Sequence, residues 1–232
     1  MKYTTLLFDL DHTLFDSAVA EAVAFDDTLR SAGAQDPSDY YPTFEAINTD
    51  LWSKVEQGVL SPNEVRHLRF EMLIDATDLT ADPVEMGNRY VWGLGNNGEL
   101  YEGAMEVLDT LATSATLALI TNGIGEVQRT RIDRVGIEHF FDAIVISGEV
   151  GTAKPGTEIF DIAFEHLGTP DKATTLMIGD NLGSDIRGGI NYAIDTCWYN
   201  PDLRSSGGVS MTHEITNLSA LVELERTPHE SD

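Results

Sequence analysis

The sequence predicts an α/β protein, with a parallel sheet covered by helices on both faces and an all-helical insert after the first strand. Three observations predict this fold. Short apolar segments recur without polar alternation, helical patterns separate them, and residues 17–95 interrupt this order with helical patterns alone. Continuous apolar runs are typical of strands buried on both faces. Strand–helix alternation is typical of a parallel sheet with right-handed crossovers.

The predicted strands are short, and each is followed by a Gly, Asn, Asp or Pro signal. They cover residues 3–10, 116–121, 143–147, 174–179 and 193–199, with one more short strand near His213. Helical patterns lie between them over residues 125–135, 155–167 and 183–192. This order predicts that consecutive strands lie parallel in one sheet.

Four helices are predicted in the insert. They cover residues 17–31, 41–56, a third segment from Ser61, and 81–94. Ser61 and Glu64 form the pattern of a capping box at the start of the third helix. Val65, Leu68 and Met72 recur at spacings of three and four, so we expect them on the buried face of that helix.

This change of pattern predicts two domains. Residues 1–16 and 96–232 form the predicted catalytic core, and residues 17–95 form the predicted helical insert. The charged segment after about Glu225 is expected to be a loose tail.

The composition disfavours several classes of partner. Among 232 residues, 39 are acidic and 14 are basic, which gives a formal net charge of −25. This charge disfavours binding to nucleic-acid backbones and anionic membranes, and it reflects either a salty cytoplasm or ordinary solubility charge. No apolar run reaches the ~18 residues of a membrane span, and acid at residue 9 comes early for a secretory signal. With Cys197 as the single cysteine, we expect a cytoplasmic monomer or homodimer without disulfides.

Polar residues follow the predicted strands at their carboxyl ends, where parallel sheets bind ligands. In chain order they are Asp9 and Asp11, Thr121 and Asn122, Lys154, and Asp180 with Asp185. Because the carboxyl ends of parallel strands meet at one edge, we expect these residues to converge. Each group alone is typical of turns, helix caps or solvated side chains. Their occurrence in order along one sheet favours a functional site.

Four carboxylates in one site cannot all remain ionised without partners. One solution is Mg²⁺, which binds carboxylates, waters and substrate phosphates. The other is a carboxyl group that keeps a proton and acts as a general acid, and both can hold here. Thr121, Asn122 and Lys154 supply donors that suit a phosphate group. The expected ligands are therefore Mg²⁺ and a small phosphorylated metabolite.

These residues resemble the four motifs of the haloacid dehalogenase superfamily of phosphotransferases. The matching segments are Asp9-Leu10-Asp11-His12-Thr13-Leu14, Thr121-Asn122, Lys154-Pro155, and Gly179-Asp180 with Asp185. Their order and spacing match over nearly the whole chain. The resemblance implies a Rossmann-like core, and the insert looks like the helical cap of the first type in this family.

The resemblance also implies a role for each site residue. Asp9 would attack phosphorus and form an aspartyl-phosphate, while Asp11 would protonate the leaving alcohol and then activate water. Its carboxyl would thus be free to carry a proton. The implied Mg²⁺ ligands are the Asp9 carboxylate, the Asp11 backbone carbonyl, Asp180 and, directly or through water, Asp185. The implied contacts to the phosphoryl oxygens are Thr121, the Asn122 amide and Lys154.

Asp11 favours phosphoester hydrolysis over carbon–halogen cleavage, because an alkoxide leaving group needs a proton and a halide does not. Residues 178–201 are similar to the pyrimidine-type 5′-nucleotidase branch of the family, so we expect hydrolysis of nucleoside 5′-monophosphates. Shared descent without a shared substrate is the alternative explanation of this similarity. Other functions stay open, namely a phosphatase of small sugar phosphates or phosphoglycolate, a phosphomutase, a 2-haloacid dehalogenase, and a non-enzymatic binding module.

Three residues near the first motif, and the cysteine, carry further expectations. His12 is expected to point outward from its loop. Phe15 and Asp16 begin the connection to the insert, where closure of a lid would need a hinge. Cys197 lies in an apolar strand and is expected to be a buried core thiol.

The insert contains side chains that could contact a substrate. Its candidate stacking residues are Tyr40, Tyr41, Trp52 and Trp92. Aromatics at helical spacing more often form a core, which is the expectation here. Arg66 and Arg69 could meet anionic or carbonyl groups of a substrate, but we expect them on a solvated face.

Overall fold

The structure, a computed structural model, describes residues 2–226. Within this range six parallel strands form one sheet in the order β3-β2-β1-β4-β5-β6. The strands are β1 (Thr5–Phe8), β2 (Thr116–Thr121), β3 (Ala143–Ile146), β4 (Thr175–Gly179), β5 (Asp195–Tyr199) and β6 (His213–Ile215). The strand order reverses at β1, as in Rossmann-like folds. The predicted fold class is confirmed.

Helices connect the strands and cover both faces of the sheet. They are α1 (Ser17–Ser31), α2 (Tyr41–Glu56), α3 (Pro62–Ala76), α4 (Pro83–Asn96), α5 (Ala104–Ala112), α6 (Gly125–Val135), α7 (Ser147–Val150), α8 (Glu158–His166), α9 (Arg187–Tyr192) and α10 (Ala220–Arg226). A π-helical turn, Leu182–Ile186, precedes α9. Four of these helices, α1–α4, lie between β1 and α5, and we call them the cap.

Several element boundaries differ from the predicted ones. The first strand ends at Phe8 rather than at residue 10, because the Leu10 carbonyl accepts N–H bonds from Thr13, Leu14 and Phe15 and forms a turn. The predicted helix 155–167 is shorter, and 183–192 begins as the π-helical turn. Helix α5 was not predicted, although its buried residues recur at helical spacing.

The sheet is buried on both faces because successive residues of β1 point to opposite sides. Leu6 and Phe8 pack in a cluster with residues of α5, α6 and α10. Leu7 packs in a second cluster with residues of α8 and α9. Each such buried side chain stabilises the fold by about 1.5–3 kcal/mol. The two clusters hold the carboxyl ends of the strands in a fixed arrangement.

The cap has its own aromatic core. Phe44 packs against Phe25, Phe70 and Tyr90, with ring centroids 4.7, 5.6 and 5.4 Å away respectively. These residues come from all four cap helices. The helices therefore form a packed unit beside the sheet rather than a loose excursion of the chain.

The predicted buried face of α3 is partly wrong. Val65 and Phe70 are fully buried, whereas Leu68 and Met72 are only partly buried. Arg69, expected on a solvated face, is 2% exposed. Helix α3 packs between α2 and α4. Its buried face is therefore not the face that the spacing of Val65, Leu68 and Met72 predicts.

Two chain segments connect the cap to the core, and they lie side by side. The Asp16 N–H donates to the Glu99 carbonyl at 2.8 Å, and Phe15 forms an isolated antiparallel bridge with Leu100. Gly98 has a φ of +83°, and a Cβ there would lie 2.8 Å from the Phe15 ring, so only glycine fits. The hinge at Phe15 and Asp16 stays a prediction, as does the division into residues 1–16 with 96–232 and residues 17–95.

The remaining expectations concern the chain as a whole. No helix within residues 2–226 is long and apolar enough to cross a membrane. Cys197 is fully buried, and burial raises the pKa of its thiol to about 12, as expected for a core cysteine. The charged segment after about Glu225 lies almost wholly outside the described residues. The cytoplasmic location and the oligomeric state stay predictions.

Candidate active site

The candidate site lies where the strand order reverses, outside the carboxyl ends of β1 and β4. Asp9 directly follows β1 and Asp180 directly follows β4, and these strands are neighbours in the sheet. A cavity of roughly 210 Å³ opens between this edge and the cap. Five of the seven predicted site residues line it, namely Asp9, Asp11, Asn122, Lys154 and Asp180. Thr121 and Asp185 lie behind them, in contact with residues that line the cavity.

Three carboxylates form a cluster at the base of the cavity. Asp9, Asp180 and Asp185 each place one carboxylate oxygen within 4.8 Å of the others. The Lys154 ammonium lies 2.6 Å from Asp9 Oδ1 and 2.7 Å from Asp185 Oδ1. Gly179 makes room for this arrangement, because a Cβ there would lie 2.2 Å from Asp185 Oδ2.

The cluster carries more negative charge than its protein partners balance. Burial raises the pKa of the Asp9 carboxyl well above its usual range, although Lys154 opposes the shift. Burial and the nearby Asp185 raise the pKa of Asp180 to about 6, and Arg204, at 3.4 Å, offsets only part of this. A divalent cation fits these residues, because hard cations prefer carboxylate oxygens and would reduce the repulsion among them.

Lys154 is fully buried, and its ammonium has three protein partners. It donates to Asp9 Oδ1 and to the Ile120 carbonyl, each at 2.6 Å, and it forms an ion pair with Asp185 Oδ1 at 2.7 Å. Asn122 fixes the Lys154 backbone through two hydrogen bonds of 2.8 and 2.9 Å. Asn122 therefore positions the lysine in addition to lining the cavity.

Two threonine hydroxyls connect the strand ends. Thr13 Oγ1 donates to Asp9 Oδ2 at 3.3 Å and accepts from the Asp180 N–H at 3.0 Å. Thr121 Oγ1 accepts from Gln128 Nε2 at 2.8 Å, which leaves the Thr121 hydroxyl hydrogen to donate elsewhere. The Thr13 bonds thus join the first and fourth motifs directly, and Gln128, which also donates to Asp11, connects Thr121 of the second motif to the first.

The Asp11 carboxylate lies apart from the acidic cluster. It accepts hydrogen bonds from Arg131 Nη1, from Ser17 Oγ at 2.5 Å and from Gln128 Nε2 at 2.7 Å. Burial acts to raise the pKa of Asp11, but Arg131 and the two hydrogen bonds outweigh it and lower the pKa. These three donors favour the ionised form of the carboxyl, and its role as a proton carrier stays a prediction.

The partners of Asp11 were not predicted from the sequence. Gln128 and Arg131 are three residues apart on α6, so both face the same side of that helix. Arg131 is 3% exposed, and its Nε also donates to the Leu94 carbonyl at the end of α4. The spacing of Gln128 and Arg131 just after the second motif was the signal in the sequence that could have identified them. It was not sufficient, because polar residues at helical spacing are also typical of a solvent-exposed helix face.

The opposite side of the cavity consists of cap residues. Helix α2 presents Asn48, Trp52 and Glu56 at a spacing of four, which places them on one face. Arg69 from α3 and Tyr90 from α4 also lie on this side, as do Glu21 of α1 and Leu94 of α4. We call Asn48, Trp52, Glu56, Arg69 and Tyr90 the cap wall, and we call Asp9, Lys154, Asp180 and Asp185 the sheet wall.

Several expectations about the insert need correction. Arg69 is buried on the cap wall, whereas Arg66, partly exposed, pairs with Glu126 of α6 at 2.5 Å. Among the four candidate stacking residues, Trp52 lines the cavity, while Trp92 and Tyr41 are 62% and 44% exposed. Tyr40 and Trp52 are partly buried against the cap core, which agrees with the expectation for these two. Trp92 and Tyr41 are largely exposed, because the rotation of each helix, which the sequence does not reveal, decides which of its rings is buried.

His12 also departs from its expectation. It lines the cavity instead of pointing away from the site, and its Nε2 lies 3.8 Å from Glu21 of α1. Its φ of +59° is in the left-handed region, which non-glycine residues adopt rarely. The turn between Asp9 and Thr13 thus directs this ring toward the cap.

A Rossmann-like sheet with an aspartate cluster at its strand reversal, facing a cavity under a helical cap, defines a class of hydrolytic enzymes that work through carboxylates. Comparison with known proteins agrees. The chain belongs to the haloacid dehalogenase-like hydrolase family, whose pattern matches residues 6–199. The resemblance drawn from the four motifs is therefore confirmed.

Individual relatives cover almost the whole chain. It is 35% identical to pyrimidine 5′-nucleotidase YjjG from Escherichia coli, over 97% of this chain and 98% of the relative. It is 34% identical to pyrimidine 5′-nucleotidase PynA from Streptococcus pneumoniae, over 96% of this chain and 95% of the relative. Among solved structures, the magnesium-bound HAD-hydrolase YfnB from Bacillus subtilis superposes with a TM-score of 0.90 at 32% identity, covering 98% of this chain and 100% of that one.

Proposed function

We propose that this protein is a Mg²⁺-dependent phosphomonoesterase that hydrolyses nucleoside 5′-monophosphates, with pyrimidine nucleotides as its best substrates. The observation that carries this proposal is the sheet wall, a cluster of three carboxylates and one lysine in which Asp9, Asp180 and Lys154 line a cavity of roughly 210 Å³. Two relatives named pyrimidine 5′-nucleotidases, at 34–35% identity over nearly the whole chain, support the choice of substrate.

Asp9 is the proposed nucleophile. One of its carboxylate oxygens bonds to phosphorus while the bond from phosphorus to the ester oxygen breaks, which gives an aspartyl-phosphate and an alcohol. Attack requires ionised Asp9, and the Lys154 ammonium at 2.6 Å favours that form. The Thr13 hydroxyl donates to Asp9 Oδ2 at 3.3 Å and thereby helps to fix the orientation of the carboxylate.

Asp11 is the proposed proton carrier. It donates a proton to the leaving ester oxygen, and later takes one from the water that attacks the aspartyl-phosphate, which releases phosphate and regenerates Asp9. The second step needs ionised Asp11, the form that Arg131, Ser17 and Gln128 favour. The first step needs protonated Asp11, so these contacts must loosen when the proton is loaded.

Mg²⁺, when bound, would neutralise charge on the phosphate and on the carboxylates around it. Asp9, Asp180 and Asp185 would hold it through their carboxylates, and the Asp11 backbone carbonyl is a further proposed ligand. Lys154, Thr121 and Asn122 are proposed to hold the phosphoryl oxygens. The substrate is a small phosphorylated metabolite, and its leaving alcohol would lie against the cap wall.

Phosphate release tests this proposal. The purified chain is assayed with uridine 5′-monophosphate (UMP), adenosine 5′-monophosphate (AMP), ribose 5-phosphate and phosphoglycolate, with Mg²⁺ and again with a chelator. We expect Mg²⁺-dependent release, fastest from UMP. Preference for ribose 5-phosphate or phosphoglycolate would favour a sugar-phosphate phosphatase, and chloride release from 2-chloropropionate would favour a dehalogenase. A phosphoryl group that moves within the substrate without net phosphate release would favour a mutase.

A further inference from the structure

The cap wall extends the cavity away from the sheet wall. Asn48, Trp52 and Glu56 span two helical turns of α2, a rise of about 12 Å. Glu56 is at the acidic end, where Asp185 contributes to the raised pKa of its carboxyl after burial. Asn48 is at the other end, where its Oδ1 accepts a hydrogen bond from Arg69 at 3.0 Å. A phosphate at the sheet wall would thus leave the far end of its substrate near Asn48 and Arg69.

Arg69 is the unusual residue at this far end. The residue is 2% exposed, and its guanidinium carbon lies 5.0 Å from the centre of the Tyr90 ring. Nε donates to the Val65 carbonyl at 2.9 Å and Nη1 donates to Asn48. Nη2 is buried and has no hydrogen-bond acceptor among residues 2–226. No carboxylate of the described residues lies within ion-pair distance of this guanidinium, whereas ten other Lys and Arg side chains have one.

An arginine with a purely structural role would find acceptors for its donors inside the cap. More than nine in ten buried polar groups in proteins are hydrogen-bonded, and a buried charged donor without an acceptor is costly. The unpaired Nη2 therefore indicates an acceptor that comes from a ligand. Because Arg69 lines the cavity that leads to Asp9, the substrate is the natural source of that acceptor.

We propose that Arg69, oriented by Asn48 and Tyr90, donates a hydrogen bond from Nη2 to a carbonyl oxygen of the substrate's base, and that Trp52 lies against the ring. This inference rests on the proposed function and names the residues that select the leaving group. Every pyrimidine base of a nucleotide has a carbonyl at C2, whereas adenine has no carbonyl. A neutral carbonyl is a suitable acceptor for a guanidinium donor. The cap wall would therefore favour pyrimidine nucleotides over AMP.

Arg69→Met tests this role, because methionine keeps much of the buried stem and removes the donors. We expect kcat/KM for UMP to fall about 10- to 100-fold, the range for a lost hydrogen bond to a charged group. The values for AMP and ribose 5-phosphate should change less than about threefold, because neither offers the acceptor. The matched control is Arg89→Met, since Arg89 is also in the cap but is 44% exposed and pairs with Asp27. A parallel loss for all three substrates, or no loss for UMP, would overturn the inference.

A second measurement uses wild-type protein and does not depend on how the variant folds. In 2-thiouridine 5′-monophosphate, sulfur replaces the C2 oxygen and is a weaker acceptor. Wild type should hydrolyse it with kcat/KM about 10-fold below that for UMP, and folded Arg69→Met should treat the two alike. Equal use by wild type would contradict a contact to C2. If wild type releases phosphate from UMP but shows none of this selectivity, only this inference fails, whereas no release from any nucleotide refutes the proposed function.

Discussion

The two walls of the cavity differ in how their charges are balanced. On the sheet wall, Lys154 contacts Asp9 and Asp185 at 2.6 and 2.7 Å, and the acids still outnumber the cation. On the cap wall, Arg69 is a buried cation that has no carboxylate contact and one unpaired nitrogen within residues 2–226. The difference teaches that the two walls suit different ligands: the sheet wall suits a cation, and the cap wall suits a neutral acceptor. We therefore propose that the sheet wall carries the chemistry and that the cap wall selects the substrate.

Removing the nucleophile should have the largest effect on the sheet wall. We expect Asp9→Asn to lower kcat by about 10⁴-fold or more, as for other nucleophiles that act as part of a unit. Asparagine is nearly the same size, so the thermal melting temperature should not fall. Asp109→Asn, on the exposed face of α5, is the control and should keep full activity. An active Asp9→Asn variant would remove Asp9 from its proposed role.

The next largest effect concerns the charge balance of the sheet wall. Lys154→Met leaves Asp9 and Asp185 buried without their cation, and breaking a buried pair typically destabilises a protein by about 3–5 kcal/mol. We expect urea denaturation to show this loss in the free energy of unfolding. Lys54→Met is the control, because Lys54 pairs with Asp50 on an exposed surface of α2 and should matter by less than about 1 kcal/mol. Similar stability of the two variants would show that the sheet wall does not need Lys154.

The sheet wall was largely predictable from the sequence. Asp9, Lys154 and Asp180 each follow a strand or the loop after it, and a parallel sheet brings such positions to one edge whatever the details of packing. The Arg131 contact that engages Asp11 was not predictable, because it depends on where α6 lies against the turn after β1. Motif spacing specifies backbone placement, and it does not specify which helix side chain reaches a carboxylate.

The cap wall was not predictable in the same way. Asn48, Trp52 and Arg69 come from two helices whose rotation is decided by their mutual packing. Periodicity gave the existence of α2 and α3 correctly, yet it placed Arg69 on the solvated face. A long side chain with an apolar stem and a charged end fits either environment. Only the tertiary structure shows that this one is buried.

Metal binding should stabilise the protein through the sheet wall alone. A ligand at about 100 times its Kd stabilises the folded state by about 2.7 kcal/mol. We expect Mg²⁺ to raise the melting temperature of wild type, and the rise should largely disappear in Asp180→Asn, which lacks one carboxylate of the cluster. Glu126→Gln, outside the cluster, is the control and should keep the rise. An equal rise in all three proteins would place the metal elsewhere.

The smallest expected effect is on the cap wall. Trp52→Leu should lower kcat/KM for UMP about 10-fold, because stacking of a base on an aromatic side chain contributes about 1–3 kcal/mol. Ribose 5-phosphate, which has no base, should be used as before. Trp92→Leu is the matched control, since Trp92 lies in the same cap but is 62% exposed and away from the cavity. Equal losses for both substrates would indicate a packing role for Trp52.

The separation of chemistry from selection is tested most directly in the double variant Arg69→Met/Trp52→Leu. Its kcat/KM for UMP and for ribose 5-phosphate is measured with Mg²⁺ beside wild type. The separation predicts that the preference for UMP is lost while hydrolysis of ribose 5-phosphate stays within about threefold of wild type, because the sheet wall is untouched. If both substrates lose activity in parallel, the cap wall takes part in the chemistry itself, and the division between the two walls is contradicted.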